Sequence, residues 1–161
     1  QPGPATAINT EVTEVVLTAG DTTSVSCAGE DAFGNAVEDN WAISVTLASE
    51  PASASDGIEV QGDGIKAIVE GFYLVACQQP EGLADDTPVA VSVACGLPRY
   101  LVTELGQGTI VAGGSVPVTC RAEDEYGNGV PDFPFSVAPI ANLSMLGLEA
   151  TSMSVPRVVP E

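Results

Sequence analysis

Along much of the chain apolar and polar positions alternate with a period of two. Trp41, Ile43, Val45 and Leu47 fall on one face of such a run, and Ala42, Ser44 and Thr46 on the other. That is the pattern of a half-buried strand, since a helix brings apolar residues back every three or four positions. Gly, Pro, Asp and Asn stand between the runs, and these residues make turns. The alternation predicts strands near 5–11, 14–18, 22–30, 41–47, 57–61, 64–70, 72–79 and 87–95. No run at helical spacing ends in helix caps. Short strands punctuated this often predict an all-β sandwich.

The pattern occurs twice. Ser24 to Asp39, SVSCAGEDAFGNAVED, is answered by Pro117 to Asp132, PVTCRAEDEYGNGVPD. The offset is 93 positions, from Cys27 to Cys120. With Asn40 taken as a one-residue insertion, Trp41 answers Phe133, Ile43 answers Phe135 and Val45 answers Val137. Further on, Gly57-Ile58-Glu59 answers Gly147-Leu148-Glu149, and Ile65, Ile68 and Val69 answer Val155, Val158 and Val159. The substitutions keep the apolar parity, so two copies of one unit are expected, a repeat being sought before any other organisation. They meet at Cys95-Gly96-Leu97-Pro98.

The four cysteines, Cys27, Cys77, Cys95 and Cys120, form no CxxC pair. Zinc and thioredoxin-like chemistry are therefore not indicated. Disulfides in an oxidising compartment are the favoured reading, with buried free thiols as the alternative. Cys27 shares its face with Val25, and Cys77 shares its face with Tyr73 and Val75. Two inward cysteines on separate strands are placed to meet across a sandwich, and closing a loop of about 50 residues stabilises by roughly 4 kcal/mol on the chain-entropy account.

Composition narrows the function. Lys and Arg number 4 against 22 Asp and Glu, for a formal charge of −18, and there is no His. Such a chain repels phosphate backbones and anionic lipid heads, which argues against nucleic-acid and membrane-surface binding. Without His there is no Ser-His or Cys-His pair and no His-ligated zinc. At 45% hydrophobic and 16% charged, the chain is too apolar for a disordered acidic tail. No apolar run approaches the ~20 residues that cross a bilayer as a helix, so no membrane insertion is expected.

The order Cys27, Trp41, Cys77 resembles the Cys, Trp and Cys of immunoglobulin domains. The runs DAFGNAV and DEYGNGV are similar to the D-x-x-G-N turn of bacterial immunoglobulin-like repeats, the modules strung along invasin- and intimin-like adhesins. Gly71-Phe72-Tyr73 resembles their G-x-Y strand. The resemblance implies tandem immunoglobulin-like β-sandwiches, residues 1–95 and 96–161, in a disulfide-containing variant. It further implies a non-enzymatic structural or adhesive module of a bacterial surface protein or filament, outside the cell. The partners implied are other copies of the chain, adjoining immunoglobulin-like domains, and a cell-surface glycan or protein. It brings no catalytic residues.

Two candidate chemistries remain. Glu30, Asp31 and Asp39, with Glu123, Asp124 and Asp132, flank the Gly34-Asn35 and Gly127-Asn128 turns and are candidate calcium ligands, since calcium takes six to eight oxygens. The competing reading is a solvated turn in which Gly and Asn supply positive φ. Calcium is the one cofactor considered. The alternative function is a carbohydrate- or other ligand-binding sandwich, for which Phe33 and Tyr126 at the turn tips are the candidate stacking residues, although packing against a neighbouring module is the favoured reading of these two.

The second copy also raises an expectation about its own completeness. At the later offset, Glu161 answers Gly71, so the strands that would carry a second inward cysteine have no counterpart within the sequence. The second sandwich is expected to be incomplete within these residues, with Val118, Phe133, Phe135 and Val137 as the positions that report on its cover. Cys95–Cys120 is then the remaining pairing within the chain.

Overall fold

The computed structural model describes residues 2–54, 56–80, 82–109, 111–134 and 136. Phe135, Val137 and the repeat positions from Gly147 to Val159 lie outside them. The described residues form an all-β protein with β1 (Ala5–Val12), β2 (Val16–Thr18), β3 (Thr22–Asp31), β4 (Ala36–Val37), β5 (Ala42–Leu47), β6 (Glu50–Ala54), β7 (Ile58–Gln61), β8 (Gly64–Ala67), β9 (Gly71–Gln78), β10 (Val89–Ala94), β11 (Tyr100–Leu105), β12 (Val118–Glu123) and β13 (Gly129–Val130). The chain divides into two compact units. One is Gln1–Gly96 with Glu125–Asn128, and the other is Leu97–Asp124 with the residues from Gly129 onward.

In the first unit β1-β3-β8-β7 make one sheet, with β4 on β3, and β2-β10-β9-β5-β6 make the other. All neighbours are antiparallel except β2, which runs parallel to β10. Period-two alternation drives this arrangement, because each strand has one apolar face to bury. Tyr73, Val75 and Cys77 of β9 point inward at 0–1% exposure. Val91 and Val93 of β10, Leu17 of β2, Val25 of β3 and Ile65 of β8 meet them in one core. Ile43, Val45 and Leu47 pack on its margin, as their parity requires.

Two elements have no counterpart in the alternation. β4 is only two residues long. β6 reads EPASA, which has no alternating large apolar residues, and its Pro51 suits an edge strand because proline has no N–H to donate to a ladder.

Tyr73 fixes one end of the core. Its hydroxyl donates to Val69 O at 2.8 Å, and Gly57 and Gly71 leave room for its ring. Burial pushes the Tyr73 phenol pKa up. The tetrapeptide Glu125–Asn128 belongs to this unit through its own hydrogen bonds: Glu70 N donates to Asn128 Oδ1 at 2.9 Å, and Asn128 Nδ2 donates to Ile68 O at 2.8 Å.

The second unit holds one described sheet, β11-β12-β13. Its register repeats that of β1-β3-β4. In the first unit Ile8 faces Gly29, Thr10 faces Cys27 and Val12 faces Val25, while Gly29 faces Val37. In the second, Leu101 faces Ala122, Thr103 faces Cys120 and Leu105 faces Val118, while Ala122 faces Val130. Every one of these pairs is displaced by the offset that joins Cys27 to Cys120.

Candidate functional site: the disulfide and the tryptophan groove

Cys27 of β3 and Cys77 of β9 form a disulfide between the two sheets, with Cα atoms 5.8 Å apart and a sequence separation of 50. Cys77 is fully buried, and its backbone is held from two sides. Cys77 N donates to Thr10 Oγ1 at 2.8 Å, and Asp85 N donates to Cys77 O at 2.9 Å. Asp85 is itself buried and accepts from Thr87 N and Thr87 Oγ1, both at 2.8 Å. Burial works to raise the Asp85 pKa, while Thr10 and Thr87 work to lower it, and the lowering prevails.

Cys27 is half-buried and opens onto a groove of about 460 Å³ at the margin of the sandwich. Trp41, which directly precedes β5, forms one wall. Its indole lies over Gly29, two residues from Cys27 on the same inward parity, and only a glycine leaves space for it there. Asp39, Asn40, Ser26 and Asp63 bring polar groups to the groove. Asp39 Oδ2 accepts from Gln79 Nε2 at 2.7 Å, and Val25 N donates to Asp63 O at 2.9 Å, so the rim is anchored from both sheets. An aromatic wall beside carboxylates and an amide suits a small neutral polar molecule, which offers an apolar face together with hydroxyls.

The acidic side chains of the turns make hydrogen bonds within the fold. Asp31 Oδ1 accepts from Phe33 N and Asn35 N at 2.9 Å, Oδ2 accepts from Gly3 N at 2.9 Å, and Asn35 Nδ2 reaches both oxygens. Gly34 supplies the positive φ that the turn requires, as Gly127 does in the second copy. The Asn35 amide first, then the Gly3 and Asn35 backbone amides, hold the Asp31 carboxyl well below the ordinary carboxylate range. Asp39 accepts from Gln79 and from the Asn40 amide. Glu123 accepts from Arg121 Nε at 2.7 Å, Asp124 is buried, and Asp132 is exposed at positive φ. Glu30 is exposed. Among the described residues no three acidic, cysteine or histidine side chains gather around one point. Of the candidate calcium ligands Glu30, Asp31, Asp39, Glu123, Asp124 and Asp132, Asp31 serves as the hydrogen-bonding hub of its turn.

Cys95 and Cys120 belong to different units. Both are free, half-buried thiols. Cys95 follows β10, whereas Cys120 lies mid-strand in β12, with its sulfur 3.9 Å from Thr103 Oγ1. The turn-tip aromatics differ: Phe33 is 89% exposed, while Tyr126 is half-buried beneath Lys66, whose Nζ lies 5.4 Å from the ring centre.

A β1-β3-β8-β7 sheet facing a β2-β10-β9-β5-β6 sheet, joined by a disulfide between β3 and β9 beside a tryptophan, is the architecture of an immunoglobulin-like sandwich. Among solved structures, the fold is similar to that of FdeC, described as a broadly conserved Escherichia coli adhesin eliciting protection against urinary tract infections. The TM-score is 0.50 and the identity 22%, over 81% of this chain and 46% of that one. This chain thus spans about half the length of that neighbour. No family model matches the chain, and no curated protein matches it. Among the described residues no helix is long and apolar enough to cross a membrane.

Proposed function

We propose that this chain is a non-enzymatic, immunoglobulin-like portion of a bacterial surface protein, built from serial modules and acting as a structural or adhesive segment outside the cell. The observation that carries the reading is the repeated strand register. β11-β12-β13 reproduces β1-β3-β4 pair for pair, as expected of units that follow one another along a surface protein. The inter-sheet disulfide suits an oxidising exterior, and the likeness of fold to an adhesin supports the same setting. Invasin- and intimin-like repeats are the proposed kin. The test is adhesion by beads coated with the chain to cultured epithelial cells and to immobilised matrix proteins. Retention above beads coated with the reduced, alkylated chain supports adhesion. Retention no better than that control removes adhesion and leaves the structural role.

A second reading has its own observation, the Trp41 groove. Trp41 is the sole tryptophan, so its fluorescence reports directly on occupancy. Saturable quenching by a neutral oligosaccharide, lost in Asn40→Ala, favours a glycan-binding module. A flat titration across a panel of neutral oligosaccharides removes it.

A further inference from the structure

The outward faces of the two sheets of the first unit differ in charge. On the β1-β3-β8-β7 sheet, Glu11, Glu30, Glu59 and Lys66 occupy outward positions, alternating with the buried Thr10, Asp31, Ile58 and Ile65. On the other sheet the parity is fixed by the buried Leu17, Tyr73, Val75, Cys77, Val91 and Val93. The outward positions are therefore the alternate ones. Val16, Ser92 and Phe72 form one cross-strand row, and Ala90, Leu74 and Thr46 form the next. The remaining outward positions of β2, β5, β9 and β10 are alanine, serine, threonine and glutamine. None of these positions carries a charge, in a chain with 22 acids. Val16 and Phe72 are nevertheless 75% and 73% exposed. Two exposed large apolar side chains flanking Ser92 on a face without charges point to an interaction site.

We propose that this outward face of β2, β10, β9 and β5 is a self-association surface whose partner is a second copy of the same chain. Charge selects that partner. Two chains at −18 repel wherever carboxylates meet, and this uncharged face lets copies touch without bringing like charges together. A basic partner, by contrast, gains nothing from a face without acids. Shape agrees. Along β9 the outward residues run Phe72, Leu74, Ala76, from large to small. A two-fold axis through Leu74 sets Phe72 of each copy over Ala76 and Ser44 of the other, large against small, as an isologous interface requires. Sheets stack face to face at about 10 Å with this kind of interdigitation.

The proposal is independent of the adhesive reading, since a monomer is equally able to adhere. Sedimentation equilibrium of the intact chain tests it across concentration and at low and moderate salt. The expected result is a monomer–dimer equilibrium that tightens with salt, because screening relieves the remaining repulsion. Phe72→Glu and Leu74→Glu should each weaken it at least ~10-fold, as loss of a central anchor does. Phe33→Glu, at an equally exposed phenylalanine on a turn tip, should leave it unchanged. Circular dichroism and thermal melts of each variant confirm that the fold is retained. A chain that stays monomeric up to about 1 mM, the weak end of measurable affinity, overturns the proposal. So does a dimer that Phe72→Glu and Leu74→Glu leave intact, or one that Phe33→Glu disrupts equally. Capture of a neutral glycan by a monomeric chain, lost in Phe72→Glu, also overturns it and assigns the face to carbohydrate.

Discussion

The two units share one pattern of strand pairing and have different burial. Ile8 in β1 is 8% exposed, and its counterpart Leu101 in β11 is 63% exposed. Val25 is buried at 5%, whereas Val118 is half-buried. Cys27 is bonded to Cys77, whereas Cys120 is a free thiol. Strand pairing in each unit is local: a hairpin-like set held by backbone hydrogen bonds and by a turn with Gly34 or Gly127 at positive φ. Burial has a different source. In the first unit β9 and β5 face β3 across the sandwich, and no strand of the described residues does so for β12. Among the described residues, the shared register thus goes with an extended core where a second sheet covers it.

Removing the bridge should have the largest effect on that contrast. Cys27→Ala with Cys77→Ala should destabilise the first unit by about 4 kcal/mol, the loop-closure contribution for 50 residues. Cys120→Ala should shift the melt within about 0.5 kcal/mol, as a partly exposed site does. Equal losses at both would break the distinction. Next in size is Gly29→Ala. Its new methyl group meets the Trp41 ring, and overpacking of this kind costs about 1–3 kcal/mol. The second unit already carries Ala122 at that place, so Ala122→Gly should show no such clash and only the ~1 kcal/mol or less of a strand glycine. Denaturant melts followed by Trp41 fluorescence read the first change directly.

Acid should act on the first unit through Asp31. The folded-state pKa of Asp31 is depressed below its ordinary value of 3.8. Its contribution to stability is therefore complete above that pH and is lost as pH falls through and below it. Asp31→Asn should flatten the acid limb of the first unit's stability curve, measured by melting temperature against pH. An unchanged limb would show that the turn is held by its backbone alone. Salt should have the smallest effect. Screening a net charge of −18 should raise the melting temperature modestly from low to moderate ionic strength. Calcium should add nothing beyond its ionic strength, because Asp31 already spends its oxygens on Phe33, Asn35 and Gly3.

Much of the first unit was readable from alternation. The inward parity of Cys27, Tyr73, Val75 and Cys77 is a period-two fact, and their burial follows once two sheets exist. The repeat was readable because its substitutions keep that parity. β4 and β6 were not, since a two-residue strand has no period and EPASA lacks large apolar residues. The amides that converge on Asp31 were not readable either, since a sequence shows carboxylates but not the backbone groups that reach them. Gly29 shows the same limit: its role appears only when the indole of Trp41, distant along the chain, is seen lying on it. The uncharged outward face was written in the strands all along, as Phe72, Leu74 and Ala76 between the inward residues. It became a surface only when β2, β10, β9 and β5 were placed side by side.

Amide hydrogen exchange, resolved to peptides covering 22–31 and 118–123, tests most directly whether the same register makes a core only beneath an opposing, disulfide-joined sheet. Peptides from β3 should exchange only through global opening of the first unit and lose protection on reduction of Cys27–Cys77. Peptides from β12, where Ala122 alone of the strand is buried, should exchange at least ~100-fold faster, the behaviour of strands with few buried contacts, and should ignore the reductant. Equal protection of the two strands, or a loss at β12 that tracks reduction as closely as β3 does, would contradict the account.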